Sequence, residues 1–197
     1  MDEHLVNYRA LIARVDAHKD RVQQVWSEQL ACRRGCSGCC HRSLSVFPVE
    51  AAAIRSLLAA GGLSTEPPSP DDPVELIHPL TVLDPGASHR CAFLDDSGAC
   101  RIYKARPLIC RSHGLPVAVR VDGELQGDTC PLNYREGGLE NVSAADFLDL
   151  DVVNTALAVV NAAFAEASGC EAGQRVELGL LAAEAGISAP DGSPGSS

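Results

Sequence analysis

Cys32-Arg-Arg-Gly-Cys36-Ser-Gly-Cys39-Cys40 brings four thiols together in one short stretch. Gaps of three and two residues, with Gly35 and Gly38 between them, let a tight loop turn several sulfurs toward one centre. Thiolate is a soft donor that suits zinc or an iron–sulfur cluster. Adjacent Cys39 and Cys40 point in different directions in most backbones, so they can serve two metals or bridge a pair. Cys91, Cys100, Cys110 and Cys130 are spaced too widely to form a site unless the fold gathers them. These eight are the candidate metal ligands. They are enough for two four-sulfur zinc sites, or for one cluster and a separate site. Cys170 stands apart, after the last long helix, and is left out of the set.

The same cysteines have two other readings. Isolated buried cysteines behave as small hydrophobes, but here they cluster, and Cys36 and Cys39 have Cys-x-x-Cys spacing. A disulfide framework belongs to exported chains. The N-terminal Met-Asp-Glu-His-Leu-Val-Asn-Tyr-Arg has no apolar core of a secretory leader. A reducing, cytoplasmic setting and metal chemistry are therefore expected. Cys32, Cys36 and Cys39 also have the spacing of radical S-adenosylmethionine enzymes. They follow a helix rather than a strand, however, and no strand–helix alternation for a barrel is present.

Several neighbours bear on the same chemistry. His41 and His113 each lie close to a cysteine and are candidate ligands or supporting residues. Arg101, Arg106 and Arg111 could offset thiolate charge and donate to sulfur, or line a solvated helix face. Pro107 fixes a turn that presents Cys110. Seven of the 16 Lys and Arg residues fall within 32–42 and 101–113, where uniform placement would put about two. Positive charge gathers where thiolates gather. The chain as a whole is acidic, with a net charge of −10, so nucleic acid and anionic membranes are not expected partners. Apolar runs fall short of the roughly 18 residues of a membrane span. No Ser/His/Asp arrangement, glycine-rich phosphate loop or His-Glu-x-x-His pattern is present.

Helices must position these residues. Leu5, Tyr8, Leu11, Ile12, Val15, Val22, Val25, Trp26 and Leu30 recur at three- and four-residue steps, which predicts a long amphipathic helix over 3–31. Pro48 opens a second helix over 48–60, closed by Gly61 and Gly62. The prolines within 64–73 predict an exposed loop. Residues 91–103 and 117–125 predict two small hairpins, the second about an Asp122-Gly123 turn. Ser143 is placed to cap a long helix with Val153, Leu157, Val160 and Phe164 on its buried stripe, ending at Gly169. A short helix near 177–185 and a disordered tail over 188–197 complete the chain.

Five segments resemble the YkgJ-type cysteine-cluster family, whose members are described as zinc- or iron-chelating domains. They are Cys32 to Cys40, Cys91 to Leu94, Gly98 to Tyr103, Arg106 to Arg111, and Cys130. His113-Gly-Leu-Pro116 and Cys130-Pro-Leu-Asn133 resemble one branch of it. The resemblance implies metal binding, with zinc or iron as the cofactor. Larger flagellin-lysine methylating proteins are similar in their cysteine cluster, which implies an alternative: an iron–sulfur redox or protein-modifying enzyme. The expected architecture is mainly α with small β-hairpins. It is a single domain over 1–187, with its motif core at 32–134 and an irregular centre organised by metal.

Overall fold

The computed structural model describes residues 3–32, 36–64, 90–135 and 137–187. The proline-rich loop beyond Ser64 and the tail over 188–197 lie outside the described residues, as does Gly35. The described residues hold five α-helices: α1 Val6–Val25, α2 Pro48–Ala59, α3 Leu108–Ser112, α4 Leu150–Ser168 and α5 Leu178–Glu184. Five short strands accompany them: β1 Ser45–Val46, β2 Val117–Val121, β3 Glu124–Asp128, β4 Leu148–Asp149 and β5 Val176–Glu177. The mainly helical class with small sheets is as expected.

The chain forms two compact units. The first comprises Met1–Arg33, Pro48–Glu50 and Pro107–Gln174; the second comprises Arg34–Phe47, Ala51–Arg106 and Arg175–Ser197. In the first unit, Tyr8, Ile12, Val15 and Val22 form the buried stripe of α1. That stripe meets α4, which contributes Val153, Leu157 and Phe164, and also α3. The predicted helix over 3–31 is α-helical only to Val25. There the Trp26 indole turns to donate from Nε1 to Asp146 Oδ2 at 3.0 Å, and its ring meets Tyr134 edge-on at 5.8 Å. The chain continues as a single 3-10 turn, Ser27–Gln29. Tertiary hydrogen bonding ends the helix where apolar periodicity alone would extend it.

The hairpin predicted over 117–125 forms as β2 and β3, with Val121 opposite Glu124. Asp122 and Gly123 have φ of 52° and 86°, the left-handed pair that a two-residue turn between right-twisted strands requires. β4 adds to the other side of β2 in parallel, giving the order β3-β2-β4. Ser143 does not cap the long helix; it accepts from Ala145 N–H and caps the 3-10 turn Ala144–Asp146. The cap of α4 is Asp149, whose Oδ1 accepts Val152 N–H at 3.0 Å. The helix ends at Gly169, φ 68°, as expected.

α4 is apolar on average although its uninterrupted apolar runs are short. Among the described residues it is the one helix long and apolar enough to cross a membrane by length and composition. Its alanines and valines outweigh Asp151, Asn154 and Asn161 in that measure. Val153, Leu157, Asn161, Phe164 and Ala165 form one buried stripe against the rest of their unit, while Val152 and Val159 on the opposite side are exposed.

The second unit closes around Val46, Ile54, Phe93, Ile102, Val176 and Leu181, with Cys91 and Cys100 packed against this core. β1 pairs antiparallel with β5, Val46 opposite Val176, and Leu178 N–H donates to Leu44 O at 2.9 Å. Arg55 and Glu184 form a two-pronged ion pair between α2 and α5, at 2.8 and 2.9 Å. α2 ends as expected, with Gly61 at φ 67° and Gly62 N–H donating to Leu57 O. The hairpin expected over 91–103 is reduced to one bridge, Leu94 to Cys100, around a turn held by Asp95. The Asp95 carboxylate accepts from Ser97 and Ala99, so the side chain does what ladder bonds would do in longer strands.

Candidate metal centre

Five of the eight expected ligands, Cys36, Cys39, Cys40, Cys91 and Cys100, lie in the second unit. Gly38–Cys40 is one 3-10 turn, closed by Cys40 N–H donating to Ser37 O at 2.8 Å. Cys91 N–H then donates to Cys40 O at 2.8 Å, which ties the start of the 91–100 segment to that turn. At the other end of the segment Gly98, φ 80°, sits beside Ser37: a Cβ there would lie 3.4 Å from Ser37 Oγ. The Leu94–Cys100 bridge folds Cys100 back alongside. Glycine spacing and two backbone hydrogen bonds thus bring distant cysteines to one turn.

The electrostatics follow this arrangement. Burial pushes the Cys91 thiol up, opposed by a hydrogen bond from Phe93 N–H, with Cys39 as a further charge that raises it. Cys100 is pushed up to about 11, first by burial, then opposed by Ile102 N–H; Cys91 raises it and Arg106 lowers it. Each sulfur therefore accepts the N–H of the residue two positions on. Bare thiolates are costly here, and a soft cation would repay that cost while displacing the protons. Arg106, its guanidinium 3.7 Å above the Tyr103 ring, supplies positive charge to the same group. Donor type, N–H bonds to sulfur and a nearby guanidinium all fit a thiolate-bound metal. Among the described residues, no three His, Cys, Asp or Glu side chains already stand in coordinating geometry.

Cys32, Cys110 and Cys130 lie in the first unit. Cys32 is enclosed by two residues that the pattern of ligand types does not single out. Asn133 Nδ2 is 3.4 Å from Cys32 Sγ, and Gly114, φ 87°, leaves the space that a Cβ would take from the sulfur. Cys130 is buried and opens the turn in which Asn133 N–H donates to Cys130 O at 2.8 Å. Cys110 lies on α3. The neighbouring Arg111 is buried and directs Nη1 to both carboxylate oxygens of Asp16, at 2.8 and 2.6 Å. Its guanidinium thus makes a two-oxygen carboxylate ion pair. Tyr8, buried nearby, has its phenol pushed well up by burial, then by Glu50, with Cys110 among the smaller influences. Tyr134 follows Asn133 in left-handed backbone, φ 51°, and its buried hydroxyl finds no hydrogen-bond partner among the described residues.

His41 follows Cys40 directly, and His113 ends α3, its N–H donating to Ile109 O. Arg101 acts on Asp95. None of the nine cysteines, all among the described residues, is in a disulfide.

Residues 31–131, just over half of the chain, match the family model described as "CxxCxxCC: Putative zinc- or iron-chelating domain". The chain belongs to this CxxCxxCC family. The matched span begins just before Cys32 and ends just after Cys130, so it contains all eight expected ligands and leaves Cys170 outside. No curated protein and no solved structure matches the chain. The family resemblance drawn from the sequence is thus shown, and with it a zinc- or iron-chelating domain as the family describes it. In this member of the CxxCxxCC family, Asn133, Gly114, Glu50 and Asp16 are the residues that reading by ligand type overlooked. Gly114 and Asn133 each fall within a segment resembling one family branch, which was the available signal.

Proposed function

We propose that this chain chelates zinc or iron through thiolates in a reducing, cytoplasmic setting, with no catalytic step required. Cys36, Cys39, Cys40, Cys91 and Cys100 supply one donor set, and Cys32, Cys110 and Cys130 complete the eight. The observation that carries this reading is the run of neighbouring thiols in the second unit. Cys39 acts on Cys91 and Cys91 on Cys100, each of the latter two sulfurs with an N–H bond and the last facing Arg106. Such a set costs free energy as bare thiolates and is satisfied by a divalent cation or an iron–sulfur cluster. The acidic net charge of −10 supports a small cation, rather than nucleic acid, as the ligand.

The test is metal content and a UV–visible spectrum on protein purified without oxygen. Stoichiometric metal in the wild type, reduced in Cys39→Ser and Cys91→Ser but kept in Cys170→Ser, is expected. Unchanged stoichiometry in the first two variants would sink the ligand assignment. A colourless zinc protein marks a structural or chelating site; iron with sulfide and absorption near about 400 nm marks a cluster.

A further inference from the structure

The segment after Cys130 folds back on the end of the N-terminal helical region and stitches it in place. Asn133 N–H closes the turn onto Cys130 O at 2.8 Å, and Tyr134 N–H donates to Gln29 O at 2.8 Å. The Asn133 side chain, buried at 4% exposure, makes the remaining links. Its Oδ1 accepts Ala31 N–H at 2.8 Å; its Nδ2 donates to Gly114 O at 2.6 Å and lies 3.4 Å from Cys32 Sγ.

These partners fix the orientation of the amide. Ala31 N–H needs an acceptor, while the Gly114 carbonyl and the sulfur need donors, so a flipped amide would lose every bond. An asparagine amide has two N–H groups, one for each acceptor. Gly114 completes the arrangement, since a Cβ on it would fall inside the Cys32 sulfur. Sulfur, carbonyl and amide therefore form one locked contact, all within the first unit.

We propose that Asn133 is the positioning residue of Cys32 as a metal ligand. Its N–H fixes where Sγ stands and draws charge off the thiolate, and this rests on the reading that Cys32 binds zinc or iron. An N–H bond lowers the energy of the sulfur lone pair. Sulfur-to-metal charge transfer then moves to higher energy, and a bound iron becomes easier to reduce. Loss of the donor should reverse both.

Cobalt(II), loaded without oxygen into the full chain, reports this directly through its thiolate charge-transfer band. Asn133→Leu keeps the branched shape of the side chain and removes both N–H groups. We expect it to retain bound cobalt with a red-shifted band, and the shift to vanish when Cys32→Ser is the background. An unshifted band, or a shift that persists in the Cys32→Ser background, overturns the proposal. Should Asn133→Leu lose its helical circular dichroism, Asn133→Ser carries the same comparison, and an unshifted band there also overturns it. Cys32→Ser alone separates the two claims. If it leaves the cobalt spectrum unchanged, Cys32 is not a ligand and the reading beneath the proposal fails. If it changes the spectrum while Asn133→Leu does not, only the role of Asn133 fails.

Discussion

Glu50 Oε1 accepts the Leu108 backbone N–H at 2.9 Å, so a carboxylate from the first turn of α2 caps the start of α3. Pro107, the residue in the capping position, offers no side-chain acceptor. The helix that carries Cys110 and Arg111 therefore depends on a residue 58 positions away. Glu50 is buried at 3% exposure. Glu50→Ala should cost about 2–3 kcal/mol, as expected for a buried hydrogen bond to a charged group. Glu50→Gln, which keeps an acceptor oxygen, should cost about 1 kcal/mol. Urea unfolding of the two variants checks the order, and equal losses would show that the carboxylate charge matters rather than an acceptor of the right shape.

The Asp16–Arg111 pair makes a second demand on α3. Asp16→Ala leaves a buried guanidinium without its carboxylate. A loss of about 3 kcal/mol is expected, at the low end for such pairs because Asp16 is about a third exposed and water can reach it. The double variant Asp16→Leu/Arg111→Met should lose less than Asp16→Ala alone, since it removes both charges of the pair together. Denaturant midpoints for the three proteins decide it.

Gly114 and Gly123 have nearly the same φ, 87° and 86°, in different surroundings. A Cβ on Gly123 meets nothing within 4 Å, whereas one on Gly114 overlaps the Cys32 sulfur. Gly123→Ala should cost only the left-handed backbone penalty, about 1–2 kcal/mol. Gly114→Ala should cost roughly 2–5 kcal/mol, since overpacking adds to it. Reaction of Cys32 with a thiol reagent should rise only in Gly114→Ala.

Acid should weaken the first unit through His18. Arg21 Nη2 can only donate, so His18 Nδ1 accepts at 3.1 Å and the ring proton lies on Nε2, which donates to Asp146 O at 3.0 Å. This neutral form is favoured in the fold. Burial lowers the His18 pKa first, with Arg21 adding to it; the Asp146 carbonyl and carboxylate oppose. The unfolded chain then binds the proton more readily than the folded one. The His18 contribution is therefore complete above the ordinary histidine pKa of about 6.5 and is lost as pH falls through the lowered folded value. Thermal midpoints measured from pH 8 to pH 4 should fall less steeply in His18→Gln. An equal slope in both proteins would place the acid sensitivity elsewhere.

Much of this could be read from residue order. Apolar steps of three and four gave α4 its buried Val153, Leu157 and Phe164, and Asp122-Gly123 gave the β2–β3 turn, because both signals are local. The cysteine segments identified the family for the same reason: loop spacing and donor type are written in adjacent residues. Pairing of two-residue strands such as β1 with β5 was not legible, since so short a strand has no period and its partner lies at the far end of the chain. The caps were only half legible. Ser143 and Asp149 both suit a helix start, and only the path of the chain assigned the first to a 3-10 turn and the second to α4.

The residues around the thiols divide along the same line. Sequence determined which side chains can hold a soft metal, because sulfur chemistry belongs to the residue itself. The tertiary structure decided which unit each cysteine joins, that Arg111 answers Asp16, and that Asn133 and Gly114 enclose Cys32. Those relationships depend on distances between segments about 20 to 100 positions apart, and burial fixes such distances where no local pattern in the sequence records them.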